Sequence, residues 1–254
     1  MKNFLAVLVA VAGVSSAQAA DLPARTYTKA PAVQVASSWT GFYVGIGGGY
    51  GISDTRSQNF VGGAFFNDNG DVAGRGYVGR VFGGFDYQLA QSWLVGVLAD
   101  GDFTNIRGRA FNVNASAPVG GTAPFDARRS WAVGGRIGYL VNPQTLTYFN
   151  GGYTEAAFRG GGFTDSATGL PVDLNRPNTT YEGYFVGGGV EYSFAPGWFA
   201  KTEYRLAEYS ARNTPLIITS TGLPSATTER NKPTVQTVIG GISYKLNWPG
   251  LTRF

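Results

Sequence analysis

The sequence predicts an all-β fold, an eight-stranded antiparallel up-and-down transmembrane β-barrel. Three observations predict it: an unusual composition, segments that alternate strictly between apolar and polar residues, and connections that alternate between short and long. Glycine contributes 38 of 254 residues, roughly double its usual share of about 7%. Aromatic residues reach 14%, while charged residues are only 14%, against about 25% in ordinary soluble domains. This composition favours strands and turns over a helical bundle.

The alternation is clearest in the segment 198–206, WFAKTEYRL, which follows the short turn APG. Successive side chains of a strand point to opposite faces, so this strand has one aromatic and apolar face and one face with three charges. A membrane can cover the apolar face, because a closed barrel satisfies all of its backbone polar groups internally. We therefore expect lipid on one side of the strand and the barrel interior on the other.

The N-terminus predicts export. Lys2 precedes the apolar run FLAVLVAVAGV, and Ala17 and Ala19 occupy the small-residue positions of a cleavage site, which together indicate a secretory signal peptide. We predict a signal peptide at 1–19, a periplasmic linker at 20–38 and a barrel domain at 39–254.

Eight segments from Trp39 onward show strand-like alternation. Each has about 10–14 residues, enough for a tilted transmembrane strand, which needs roughly 9–11. Short turns (LAQS, NPQT, APG) join three pairs of segments, and long polar stretches join the other four pairs. This sorting is typical of outer-membrane barrels and puts both termini on the periplasmic side. The predicted strands are 39–50, 75–88, 92–103, 129–141, 146–155, 182–195, 198–208 and 234–247, and the predicted long loops are 51–74, 104–128, 156–181 and 209–233.

The parity of each strand predicts which charges face the interior. Five cations and five carboxylates fall on the inward faces, and a balanced set is what buried, mutually paired charges require. Inward glycines such as Gly96, Gly134, Gly138, Gly187 and Gly189 would leave space for water between them. The strand at 146–155 alternates poorly, and its register stays open. The predicted interior charges are Arg80, Asp86, Asp100, Asp102, Arg136, Glu191, Lys201, Glu203, Arg205 and Lys245; the predicted periplasmic aromatic girdle is Tyr87, Trp93, Tyr192, Phe194, Trp198 and Tyr244.

Three stretches carry a resemblance: SWTGFYVGIGGGYG (38–51), GGGVEYSFAPGWFAKTEYRLAEYS (187–210) and GGISYKL (240–246). Together they resemble the opacity-type outer-membrane β-barrel family, and in particular the small Omp-type surface proteins of alphaproteobacteria that are often labelled porins. The resemblance covers nearly all of the mature chain and implies an eight-stranded barrel in the outer membrane. Such chains usually end on an aromatic residue of the last strand, whereas here NWPGLTRF follows Leu246. Either Leu246 or Phe254 ends the signal for the assembly machinery.

The sequence predicts no enzyme, no cofactor and no metal site. It has no cysteine and no histidine, which excludes disulfides, His-dependent catalytic triads and the usual zinc sites. The motifs GIGGGYG and NDNGD fail the spacings of nucleotide and calcium loops; we interpret the first as close backbone approach and the second as a surface loop. A net charge of +4 is too weak to indicate nucleic acid.

Three functions remain open from the sequence. The first is an envelope protein whose barrel anchors surface loops around a narrow, salt-bridged lumen. The second is a small-solute porin. The third is a surface binder that uses its loops or the Arg-rich segment IRGRAFN (106–112) to contact a host molecule, a porphyrin or lipopolysaccharide. The expected partners are outer-membrane lipid, lipopolysaccharide and the assembly machinery; contacts with host molecules or peptidoglycan stay open.

Overall fold

The computed structural model describes residues 39–113 and 120–246, and these residues form one antiparallel sheet of twelve strands. The predicted signal peptide, the linker and the tail at 247–254 lie outside the described residues. The strands are β1 Gly41–Val61, β2 Ala64–Gln88, β3 Trp93–Val113, β4 Gly120–Pro124, β5 Asp126–Asn142, β6 Thr145–Arg159, β7 Gly161–Asp165, β8 Pro171–Arg176, β9 Thr179–Ala195, β10 Trp198–Tyr209, β11 Arg212–Ile217 and β12 Pro224–Leu246.

The sheet closes on itself. Starting from β1, antiparallel pairings run in turn through β2, β3, β5, β6, β9, β10 and β12, and β12 pairs with β1 along its whole length. Closure leaves this circuit without an open edge. The closed antiparallel barrel predicted from the sequence is therefore the architecture of the described residues.

The four short strands extend the sheet beyond the long-loop end of this circuit. β4 pairs with β3 and β7, β8 pairs with β7 and β11, and β11 pairs with β12. Each short strand is separated from a long one by one or two residues: Phe125, Gly160, 177–178 or 210–211. Pro177 has no amide hydrogen for the ladder, and a Cβ on Gly160 would overlap the Arg176 carbonyl. Pro177 therefore accounts for one of the four breaks, and at two others Phe125 and Ser210 still donate backbone hydrogen bonds to Gly108 and Glu182.

The prediction that these four segments are loops is wrong. Most of 51–74, 156–181 and 209–233, together with the described part of 104–128, continues the strands, so the described residues form twelve strand segments instead of the predicted eight. The motif NDNGD lies within β2 and not in a loop. The β1–β2 hairpin closes on Gly62 and Gly63, whose φ angles of 56° and 85° suit glycine. The sequence misled where polar residues occupy both faces, as from Ser53 to Ser57 in β1, because the apolar alternation is lost there.

The outer surface carries an apolar band with aromatic residues at two levels. On β1 the band runs from Phe42 to Ile52, roughly 33 Å along the strand and about 25 Å in height at a tilt of about 40°. In β6, whose register the sequence left open, Tyr148 points inward and Phe149 points outward with 75% exposure. No helix in the described ranges is long and apolar enough to cross a membrane. The second aromatic level, at the long-hairpin end, contains Tyr50, Tyr77, Phe103, Trp131, Tyr153, Tyr184 and Tyr204.

Candidate functional site: the charged interior

The charge network nearest the short turns joins two cations to two carboxylates. Lys245 Nζ lies 2.8 Å from Asp86 Oδ2 and also donates to the Trp39 carbonyl. Arg136 bridges the two acids: its Nε donates to Asp86 Oδ1 at 2.7 Å and its Nη1 to Glu191 Oε2 at 2.9 Å. All four charged side chains are almost fully buried. Two positive and two negative charges make this network neutral.

The second network has Glu203 at its centre. Glu203 accepts from Arg80 Nη1 at 2.7 Å and lies 3.0 Å from Arg205 Nη2 and 3.3 Å from Lys201 Nζ. Two neutral groups also donate to its Oε2, the Tyr148 hydroxyl at 2.9 Å and the Asn150 amide at 3.0 Å. The carboxylate thus has five donors around it and no neighbouring acceptor among these contacts.

Two aspartates complete the second network. Arg80 binds Asp102 through two parallel hydrogen bonds of 2.6 and 2.8 Å, and Arg205 binds Asp100 in the same way at 2.8 and 2.7 Å. Bidentate guanidinium–carboxylate pairs are the stronger class of ion pair. With Lys201 and Glu203 the network contains three cations and three anions, so it is neutral independently of the first.

Inward aromatic rings line both networks. The Arg136 guanidinium lies 4.7 Å from the centre of the Tyr43 ring and 5.2 Å from that of Tyr148, while Lys201 Nζ lies 4.0 Å from the centre of the Phe82 ring. Such contacts stabilise a desolvated cation by about 2 kcal/mol. These rings lie outside the predicted set of interior residues, although the parity of the first two strands could have found Tyr43 and Phe82.

Apolar layers lie at both ends of the charged zone. At the short-turn end, the Trp39 and Phe199 rings approach to 4.8 Å between centroids, within a buried cluster that includes Leu94, Leu140 and Leu146. At the other end a larger buried cluster spans the interior, and its rings pack against one another at 4.9–6.2 Å. Its large members are Ile106, Phe125, Phe158, Tyr181, Phe185, Tyr209 and Ile239.

The inward glycines do not leave the space that the sequence suggested. A Cβ on Gly187 would lie 2.6 Å from Asn150 Oδ1, and a Cβ on Gly138 would lie 2.7 Å from a Leu146 methyl. At Gly96, Gly134 and Gly189 a Cβ would overlap a carboxylate or a backbone carbonyl. These glycines permit large neighbours and the facing backbone to approach, and the room they leave is filled by protein.

The structure places all ten predicted interior charges inside the barrel, each within one of the two networks. All six predicted girdle residues point outward, exposed to between 38% and 51%. A further buried pair was missed: Arg176 donates to both Glu229 oxygens at 2.6 and 2.8 Å. It was missed because both residues lie in segments predicted to be loops. No group of three or more residues suited to bind a metal occurs in the described ranges.

Comparison with known proteins agrees with this architecture. The family described as outer membrane protein beta-barrel domain matches residues 5–245. The 31 kDa outer-membrane immunogenic protein of Brucella melitensis is 28% identical over 227 residues, covering 84% of this chain and 89% of the relative. The 22 kDa outer membrane protein of Rhizobium leguminosarum bv. viciae is 28% identical over 217 residues, covering 83% and 85%.

Among solved structures, the outer membrane protein OprG of Pseudomonas aeruginosa superimposes with a TM-score of 0.50 at 12% identity, covering 83% of this chain and 99% of OprG. That likeness concerns the fold alone. The alphaproteobacterial relatives confirm the predicted family and the predicted outer-membrane location. A closed antiparallel sheet with an apolar outer band, matched along nearly the whole sequence, identifies this chain as a member of the outer membrane protein β-barrel domain family.

Proposed function

We propose that this protein is a closed, eight-stranded outer-membrane barrel that anchors a rigid extracellular β-extension and contributes to envelope integrity, without catalysis and without an open pore. The observation that carries the proposal is the interior: two separately neutral charge networks lie between two apolar layers. Nothing in this arrangement offers an activated nucleophile or an acid–base pair that is free to react.

The count of eight rests on continuity of the strands. Each short strand follows or precedes a long one after a break of one or two residues, so β4 with β5, β6 with β7, β8 with β9 and β10 with β11 behave as four interrupted strands. With β1, β2, β3 and β12 they make eight. The same eight neighbours pair above and below the breaks, which favours a single barrel that is longer than the membrane is thick.

The width of the barrel interior and its paired charges both support a closed lumen. An eight-stranded barrel has an interior just wide enough for its own side chains. Here those side chains include paired cations and carboxylates whose separation would cost several kcal/mol each in lost solvation and attraction. The aromatic cluster around Phe158 and Tyr181 adds a second barrier that contains no charge.

The orientation follows from the usual asymmetry of such barrels. Short turns on the periplasmic side and long hairpins outside the cell are the rule, so we assign the level of Trp93 and Trp198 to the periplasmic girdle. The Brucella relative is named an immunogenic protein, which agrees with a surface-exposed extension. The small-solute porin is the competing function.

Single-channel conductance of refolded protein in planar bilayers tests the proposal. We expect small or intermittent currents from the unmodified protein, an increase in the variant K201A/E203A/R205A, and a further increase when F158A/Y181A is added. The matched control D54A/R56A/K232A removes the same two cations and one anion from the outer surface and leaves the current unchanged. A large, steady, nonselective conductance in the unmodified protein would establish the porin instead.

A further inference from the structure

A second charged feature lies on the outside of the wall, where β3, β5 and β6 leave the membrane band. Four arginines surround a crevice of about 340 Å³ that contains a single carboxylate. The backbone creates the crevice: pairing of β3 with β5 shifts register between Phe103 and Ile106, and pairing of β5 with β6 shifts at Ala127/Arg129. The lining consists of Arg107, Gly108, Arg109, Pro124, Asp126, Arg128 and Arg159.

The charge of this crevice is unbalanced, unlike that of the interior. Four arginines and one aspartate, Asp126, line it, which gives a net charge of +3. Among the described residues, no carboxylate lies within ion-pair distance of any of these four arginines. Like charges held together repel, so an anion of matching geometry would relieve an unfavourable interaction as well as form new hydrogen bonds.

A crevice elsewhere on the same wall provides the contrast. It measures about 190 Å³ and is lined by Asp54, Arg56, Asp71, Lys232 and Thr234. Its two cations and two anions balance, and its lysine is also paired with Glu208. Arg56 follows the exposed Ile52 by four residues, as Arg107 follows the exposed Phe103. The basic crevice is therefore not a general property of the wall at this level.

The height of the crevice selects the class of anion. Four residues beyond Phe103 correspond to roughly 13 Å along the strand and about 10 Å along the barrel axis. The polar headgroup region begins where the aromatic level ends. Arginine is the side chain best suited to bind phosphate, because its planar fork donates two parallel hydrogen bonds.

We propose that the crevice lined by Arg107, Arg109, Arg128 and Arg159 binds the phosphate groups of a phosphorylated glycolipid headgroup, the lipopolysaccharide of the outer leaflet. The inference rests on the orientation proposed above, which places this end of the barrel outside. It gives the Arg-rich segment at 106–112 a defined ligand and makes the lipid a fixed partner of the wall between β3 and β6.

The test measures binding of purified diphosphoryl lipid A to the full-length protein refolded in zwitterionic micelles, by native mass spectrometry with titration. R107Q/R159Q removes two charges from the basic crevice, and R56Q/K232Q removes two cations from the balanced one. Both variants change exposed side chains, and a folded, heat-modifiable band confirms that each barrel has formed. Monophosphoryl lipid A, inorganic pyrophosphate and heparin serve as competitors.

We expect a one-to-one complex with diphosphoryl lipid A that weakens about tenfold or more in R107Q/R159Q and changes less than about twofold in R56Q/K232Q. Monophosphoryl lipid A should bind more weakly. Equal losses in the two variants would reduce the effect to general charge and overturn the proposal. Pyrophosphate or heparin binding at the crevice as tightly as lipid A would also overturn it, because the ligand would then be a free phosphate or a sulfated polysaccharide. None of these results depends on conductance, so the binding experiment can fail while the proposal of a closed lumen stands.

Discussion

Replacement of Glu203 by glutamine should destabilise the barrel more than any other single change of charge to amide in it. The substitution keeps the volume of the side chain and removes only its charge. Glu203 is 2% exposed and lies within 3.3 Å of three cations. In the variant, Arg80, Lys201 and Arg205 share two aspartates, which leaves one uncompensated positive charge in the interior.

The magnitude follows from two terms. Breaking a buried ion pair by removing one partner costs about 3–5 kcal/mol, because the remaining charge stays desolvated. The amide adds a geometric cost: Arg80, Lys201 and Arg205 are donors only, so a glutamine NH2 turned toward any of these cations would meet no acceptor. We therefore expect a loss of about 4 kcal/mol in the free energy of unfolding.

Urea unfolding of the refolded protein in lipid bicelles measures this loss, with the heat-modifiable band reporting the folded fraction. Glu208→Gln is the matched control, since it is the same substitution on the same strand at an exposed pair with Lys232. Surface pairs contribute about 0–1 kcal/mol. The control should therefore lie within about 1 kcal/mol of the unmodified protein.

A second variant restores neutrality and tests the electrostatic explanation. In K201Q/E203Q the network retains Arg80 with Asp102 and Arg205 with Asp100, so charge balance returns. The double variant should be more stable than E203Q, with a favourable coupling energy of about 1–3 kcal/mol. If E203Q matched its surface control, or if the double variant were as unstable as the sum of the single ones, the paired-charge account of the interior would be refuted.

Three further predictions concern the wall. On intact cells, added protease should cut at the hairpin tips beyond β1, β7 and β11 and leave the turn at Pro196 intact; cleavage at that turn would reverse the orientation. Val190→Arg near the midplane should cost about 2–4 kcal/mol, and Tyr204→Arg, at the outer aromatic level, less; equal costs in urea titrations would place the band elsewhere. Gly189→Ala should impair folding because its Cβ would overlap the Thr202 carbonyl, whereas Gly240→Ala, with open space around it, should be neutral by the same assay.

The faces of the strands could be predicted because parity is a local property. In β10 every second residue from Trp198 is outward, and Lys201, Glu203 and Arg205 are inward in the structure as the alternation indicated. The β6 strand resisted this argument because Leu146 and Tyr148 are apolar on its inward face while Phe149 is apolar on its outward face. Where both faces of a strand are apolar, the alternation of residues does not show which face points inward, and only pairing with neighbouring strands fixes the register.

The extension of β1 could not be predicted because its two faces differ little in polarity. Along β1 the inward residues become Ser53, Thr55 and Ser57, all buried, while Asp54 and Arg56 between them point outward. When strands are predicted from hydrophobic alternation, a strand whose inward side chains are polar is mistaken for a loop. The same property hid the Arg176–Glu229 pair, whose partners are 53 residues apart in the chain and meet only through the upper pairings.

The sequence could not predict which of the interior charges pair with one another. Ten charges that sum to zero are compatible with many pairings, and the sum does not show which side chain contacts several others. The structure divides them into a group of four and a group of six, and it gives Glu203 three cationic neighbours. The pairing in three dimensions therefore determines which substitution destabilises the barrel most. The composition alone shows only that a neutral interior is possible.

Because the strands continue beyond the membrane, a ligand can bind to the wall of the barrel and not only to flexible loops. A flexible loop would present its arginines at no fixed height, and each contact with a ligand would have to offset the entropy of ordering that loop. Here Arg107 and Arg159 lie on strands and are paired with Arg75 and Asp126 of neighbouring strands. Their backbone positions are fixed at one level before any ligand arrives, so the cost of ordering the backbone is met during folding. A surface site is consequently expected on the wall of the barrel, below the hairpin tips.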